Sequence, residues 1–191
     1  LLQSGIPSCS SPPQPRCKKM KVLGIAGWSG SGKTTLMTRL VANLVTKGLS
    51  VSTIKHAHKD FDIDQPGKDS HKHREAGAQE VLVGSRTRWA LIHELRGSSE
   101  PSLHELLEKI SPVDLVLVEG FKFENHPKIE VYRNGHGGAP LYPDDPRVIA
   151  VVSDFPLSTV DRPVFHLDDI HSISRFVSIE CSLPVNSDDP A

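Results

Sequence analysis

Apolar positions along the chain fall into short continuous runs and helical stripes. The run Val22-Leu23-Gly24-Ile25-Ala26 is followed by a polar, glycine-rich stretch, then by Leu36, Met37, Leu40, Val41, Leu44 and Val45 at three-to-four-residue spacing. A strand, a loop and an amphipathic helix are predicted in that order. Lys47 and Gly48 supply a basic last turn and a left-handed stop, and Val51-Ser52-Thr53-Ile54 begins a second strand, so this segment reads as a βαβ unit. Further apolar runs bounded by turn signals predict strands at 80–84, 89–93, 114–119, 128–132 and 148–152. Ser85 to Arg88 alone separate the first two of these, which predicts an antiparallel hairpin inside an otherwise parallel sheet. Ser102 and Glu105 form a capping box ahead of Leu103, Leu106, Leu107 and Ile110. A last helix is predicted after Asp168, burying Ile170, Ile173, Phe176 and Val177.

The stretch between the first strand and its helix is Gly27-Trp28-Ser29-Gly30-Ser31-Gly32-Lys33-Thr34, a complete phosphate-binding loop in the context that such a loop requires. Together with the element order it predicts an α/β, three-layer P-loop NTPase fold with a mixed, mainly parallel sheet. The glycines let successive N–H groups converge on phosphate oxygens. Lys33 brings a charge to the β/γ-phosphates, Thr34 offers Mg²⁺ a hydroxyl, and Thr35 is a further phosphate contact. A nucleoside triphosphate is the expected ligand.

Two other regions carry candidate chemistry. The apolar run Leu115-Val116-Leu117-Val118 marks a strand buried on both faces and ends abruptly in Glu119-Gly120-Phe121-Lys122. Ligands of such sheets sit beyond the carboxyl ends of the central strands. Glu119 is therefore the candidate catalytic and metal-shell carboxylate, with a solvated strand-end glutamate as the alternative, and Gly120 allows backbone to approach the γ-phosphate. The segment from Thr53 to Gly77 crowds polar groups at the end of the second strand. Lys55, Lys68 and Arg74 suit phosphates, Asp60, Asp62 and Asp69 suit Mg²⁺, and His56, His58, His71 and His73 suit a soft metal. The histidine pairs are spaced i, i+2, which shares a face only in extended chain, so a solvated, phosphate-facing loop stands as the other reading.

Composition narrows the classes. In 191 residues the net charge is −1, which provides no field for nonspecific nucleic-acid binding. No apolar run reaches the ~20 residues of a membrane span, and no apolar signal region opens the chain, so a cytoplasmic protein is expected. Cys9, Cys17 and Cys181 suit neither a disulfide framework nor a CxxC metal site. Residues 1–19, rich in Ser and Pro, are expected to be a disordered leader, 20–180 the nucleotide-binding domain, and 181–191 a disordered tail.

The P-loop, Thr53-Ile54-Lys55-His56-Ala57-His58, Asp60-Phe61-Asp62, Pro66-Gly67-Lys68-Asp69-Ser70, His73-Arg74 with Ala76-Gly77-Ala78, and Val118-Glu119-Gly120-Phe121-Lys122, in this order, resemble the molybdopterin-guanine dinucleotide biosynthesis adaptor proteins, the MobB family. The resemblance extends through Ile129-Glu130-Val131-Tyr132-Arg133 and Ile149-Ala150-Val151-Val152-Ser153-Asp154. It implies a homodimeric GTP-binding adaptor, using GTP and Mg²⁺, with weak GTPase activity. Its implied partner is the molybdopterin guanylyltransferase that joins GMP to molybdopterin, and molybdopterin itself is a further possible ligand. On this reading the nucleotide site comprises Gly27 through Thr35, Lys55, Asp69, Gly120 and, at the guanine, Asp154, although the Asn-Lys-x-Asp pattern of common GTPases is absent. Thr34, Glu119 and Asp62 are the metal set. No arginine finger is assignable, Arg74 and Arg133 being only candidates, and slow hydrolysis is expected. A P-loop small-molecule kinase and a His-rich metal-insertion GTPase remain as alternatives.

Overall fold

The run at 115–118 lies at the heart of the molecule: Leu115, Val116, Leu117 and Val118 are each fully buried. The structure, a computed structural model, describes residues 20–57, 61–135 and 138–184. In chain order its elements are β1 (Lys21–Ala26), α1 (Lys33–Thr46), β2 (Val51–Lys55), α2 (Asp69–Glu75), β3 (Glu80–Gly84), β4 (Trp89–His93), α3 (Leu103–Leu107), β5 (Leu115–Glu119), β6 (Lys128–Val131), β7 (Val148–Ser153), β8 (Val164–His166) and α4 (Ile170–Glu180).

Six strands form one sheet in the order β2-β5-β1-β6-β7-β8, and every pairing in it is parallel. Alternation along β5 divides the core between two layers. Leu115 and Leu117 join Leu23, Ile25, Leu36, Leu40, Leu44, Ile173 and Val177 beneath α1 and α4. Val116 and Val118 join Ile54 and Leu103 beneath α3. Each such leucine contributes roughly 1.5–3 kcal/mol on burial, which is why a strand this apolar goes to the centre. The expected βαβ unit is opened by β5, which stands between β1 and β2, so β2 pairs with β5 and not with β1.

Local signals end the helices as their chemistry dictates. Gly48 takes φ 83° after α1, where a Cβ would be strained. The α3 box is complete: the Ser102 side chain accepts from the Glu105 amide at 3.3 Å, and Glu105 Oε2 accepts from the Ser102 amide at 2.8 Å, satisfying two helix-end donors reciprocally. Asp169 caps α4 by accepting from the Ser172 amide. Arg39 of α1 donates to the carbonyls of Leu167 and Asp168 and to the Asp168 carboxylate, fastening the entry to α4.

Three features depart from the sequence expectations. The antiparallel hairpin β3–β4 is present but forms a two-stranded sheet of its own, not part of the parallel one. Edge strand β8, Val164–His166, was not anticipated, since three residues next to a proline carry no measurable period. Cys181 is not a tail residue: it closes α4, is buried against the core, and burial pushes its thiol up to about 11. Cys9, Cys17, the leader 1–19 and the tail beyond 184 lie outside the described residues. No helix among the described residues is long and apolar enough to cross a membrane.

Candidate functional site

The loop between β1 and α1 is built for close backbone approach. Gly27 has φ 135°, and a Cβ there would run into the Val131 carbonyl and lie 2.9 Å from Ser31 Oγ. Gly32, at φ 98°, precedes α1 and supplies no side-chain cap, so the first-turn N–H groups remain available to an anion. The Ser31 hydroxyl is buried without a hydrogen-bond partner among the described residues, a polar group that a ligand oxygen can satisfy.

Lys33 Nζ donates to the Trp28 carbonyl at 2.8 Å. Burial holds its ammonium pKa below the usual lysine value, with Glu119 opposing and Lys122 and Lys55 reinforcing the shift. The P-loop faces a cleft of about 570 Å³ whose other walls are Lys55, His56, Ala57, Glu119, Gly120 and Lys122. These residues meet because parallel pairing of β1, β5 and β2 brings the three carboxyl ends to one edge of the sheet.

Glu119 Oε1 accepts from Thr34 Oγ1 at 3.3 Å and lies 3.9 Å from Lys55 Nζ. Its side chain is only 13% exposed, so it is no freely solvated strand-end carboxylate. Beyond it the chain turns sharply, Gly120 at φ 96° and Phe121 at φ 48°. A Cβ on Gly120 would come within 2.7 Å of His56 Cβ. The His56 ring stacks on Phe121 at 4.6 Å, and its Nε2 lies 2.6 Å from Glu100.

Several expected site residues are not brought to this cleft. Asp62, expected as a metal ligand, is engaged by Arg74 at 2.9 Å, and that guanidinium holds its carboxyl below the ordinary range. Arg74 also binds Asp64 and Glu94, so one cation of α2 fastens both the 61–65 segment and the residue just after β4. Asp69 opens α2 as an exposed residue 3.5 Å from Lys72, and Lys68 precedes that helix. Asp154 lies past the end of β7 with its carboxylate on Arg133 at 2.6 Å. Both arginine-finger candidates thus have carboxylate partners.

Among the described residues no group of three His, Cys, Asp or Glu is placed to hold a metal ion. His71 pairs with Glu75 at 3.4 Å. His58 and Asp60 lie outside the described residues.

Three residues of consequence escaped the sequence reading. Lys122 Nζ rests over the Trp28 ring at 4.1 Å, while Lys128 and Glu130 of β6 are fully buried. Glu130 accepts from the Leu141 and Tyr142 amides, and burial raises its carboxyl pKa despite those bonds. Their burial follows from β6 running between β1 and β7, a position its own sequence does not announce.

Comparison with known proteins agrees with this architecture. Residues 22–154 match the family model described as molybdopterin guanine dinucleotide synthesis protein B, MobB. An Escherichia coli K12 protein named molybdopterin-guanine dinucleotide biosynthesis adapter protein is 43% identical over 159 residues, 82% of this chain and 90% of that one. A Haemophilus influenzae protein of the same name is 40% identical over 83% of this chain and 88% of its own length. Among solved structures, a MobB homologue from Bacillus stearothermophilus superimposes with a TM-score of 0.62 at 28% identity, covering 85% of this chain and 99% of that one. By sequence and by fold, the chain belongs to the MobB family.

Proposed function

We propose that this chain is a GTP-binding adaptor in the synthesis of molybdopterin guanine dinucleotide, serving the guanylyltransferase that joins GMP to molybdopterin. The names of its relatives support the adaptor role. The observation that carries nucleotide binding is the meeting of Glu119 with Thr34 across the mouth of the P-loop.

The donor set fits a magnesium-bound triphosphate. Backbone N–H groups of the loop and the Lys33 ammonium hold the phosphates, Thr34 offers the metal a hydroxyl, and Glu119 anchors its shell directly or through water. Bound Mg²⁺ would neutralise phosphate charge as it develops. Lys55 balances Glu119 at the rim. With Arg74 and Arg133 already in ion pairs, the cleft has among the described residues no arginine ready to stabilise a transferring phosphoryl group, which suits slow hydrolysis and a binding role. A homodimer is supported by the hairpin, where Leu82, Val83, Trp89 and Leu91 are exposed as an apolar surface that a second copy can cover.

The test is a titration with GTP and with ATP in Mg²⁺, alone and with a molybdopterin guanylyltransferase whose dinucleotide product is followed. GTP preference with stimulated product formation is expected. ATP preference, or a transferase indifferent to the protein, would overturn the reading.

A further inference from the structure

Lys122 is the side chain of the cleft with no assigned role. It follows the Glu119-Gly120-Phe121 turn, lines the same cleft as the P-loop, and rests its ammonium on the Trp28 ring at 4.1 Å. Among the described residues it pairs with no carboxylate. Lys33 is held on the same residue, through the Trp28 carbonyl. Among the described residues, three ammonium groups, Lys33, Lys55 and Lys122, therefore border the cleft against the one carboxylate of Glu119. Such an excess of positive charge favours an anion of more than one negative charge.

The base from which Lys122 projects is fastened from below. Lys128, buried to 1% exposure, donates to the Lys122 carbonyl at 2.8 Å and to the Glu124 carbonyl at 2.9 Å, and reaches Asp145 at 3.3 Å. Arg147 adds bonds to the carbonyls of Phe123 and Glu124. A buried ammonium is costly to place and is retained where its bonds fix a particular backbone path. Here that path presents Lys122 to the loop. The contact with an aromatic face is weak beside a charge-assisted bond to a phosphate oxygen, so the ammonium can leave Trp28 for a ligand at little cost.

We propose that Lys122 is a further phosphate-binding cation of this cleft beside Lys33, contacting the terminal phosphate of the triphosphate. The inference rests on the nucleotide reading above. Lys33 addresses the β/γ-phosphates, and Lys122 comes to the same cleft from the turn after Glu119, the carboxylate that meets Thr34 where the metal on the outer phosphates would be held. Lys122 thus sets the preference for triphosphate over diphosphate.

The experiment measures equilibrium binding of GTP, GDP and inorganic tripolyphosphate in Mg²⁺ to the wild type, Lys122→Gln, Lys122→Arg and Lys33→Ala, with thermal melting of each as a control for folding. Lys122→Gln should weaken GTP and tripolyphosphate about tenfold or more and GDP less than about twofold, and Lys122→Arg should restore most of the loss. Equal loss of GTP and GDP, or wild-type affinity for GTP in Lys122→Gln, overturns the assignment. The nucleotide reading fails separately: there the wild type binds neither GTP nor tripolyphosphate, or Lys33→Ala binds them unchanged.

Discussion

The carboxyl edge of the parallel sheet and the β3–β4 hairpin are built on opposite terms. At the sheet edge every element is supported: β5 is buried on both faces between β1 and β2, and the polar groups it delivers meet partners from the P-loop and from β2. The hairpin pairs only with itself, and only Val81 of its apolar side chains is buried, while Leu82 is 65% and Trp89 66% exposed. An isolated two-stranded ribbon is marginal in water. The difference teaches that the cleft facing the P-loop is walled by mutually supported strand ends, whereas the hairpin leaves most of its apolar side chains exposed.

That contrast can be broken by mutation. Leu117→Ala, in the centre of β5, should cost about 3 kcal/mol of unfolding free energy in urea, through lost burial and a residual cavity; a cost below about 1 kcal/mol would deny the sheet its central place. Glu119→Gln should leave the melting temperature nearly unchanged yet weaken Mg²⁺-dependent GTP binding about tenfold, roughly 1.4 kcal/mol, while binding without Mg²⁺ stays as it is. An equal effect with and without the metal would remove Glu119 from the metal shell.

Acid should also distinguish the two regions. His126 is buried with neither ring nitrogen partnered among the described residues, and burial, aided by Lys128, lowers its pKa from 6.5 to about 4. Between these values the unfolded chain binds a proton that the folded chain refuses, so stability is full above the unfolded pKa and falls as pH drops through that window, by up to about 1 kcal/mol per pH unit. His126→Leu should flatten that slope, and a slope of wild-type steepness would count against the buried neutral imidazole. The smallest effect belongs to the hairpin. Leu91→Ser should change unfolding free energy at low protein concentration by no more than about 0.5 kcal/mol, yet reduce self-association in sedimentation. Unchanged association would contradict the proposal that a second copy covers that face.

Legibility in the sequence followed the same division. The P-loop was readable because strand, glycines, Lys33 and helix are contiguous, and β5 because its run is unbroken. The place of Glu119 beside Thr34 follows from its position at the end of that run. Asp62, Asp69 and Asp154 were assigned to the site by composition or resemblance, but side-chain partnership is a tertiary fact: Arg74 engages Asp62, and Arg133 engages Asp154. Lys122 and Lys128 were missed for a related reason. Their roles depend on which strands flank β6 and on where the turn after Gly120 points, and neither leaves a period in the sequence. The separateness of the hairpin was likewise invisible, since its strand pattern is the same within a sheet or outside one.

The most direct test of the account is calorimetric titration of the wild type and Lys33→Ala with GTP in Mg²⁺, with melting curves for both. The account predicts binding by the wild type and about a hundredfold loss in Lys33→Ala at nearly unchanged melting temperature. Equal affinity in the two folded proteins would contradict it, because the cleft at the end of β1 would then not be where the triphosphate binds.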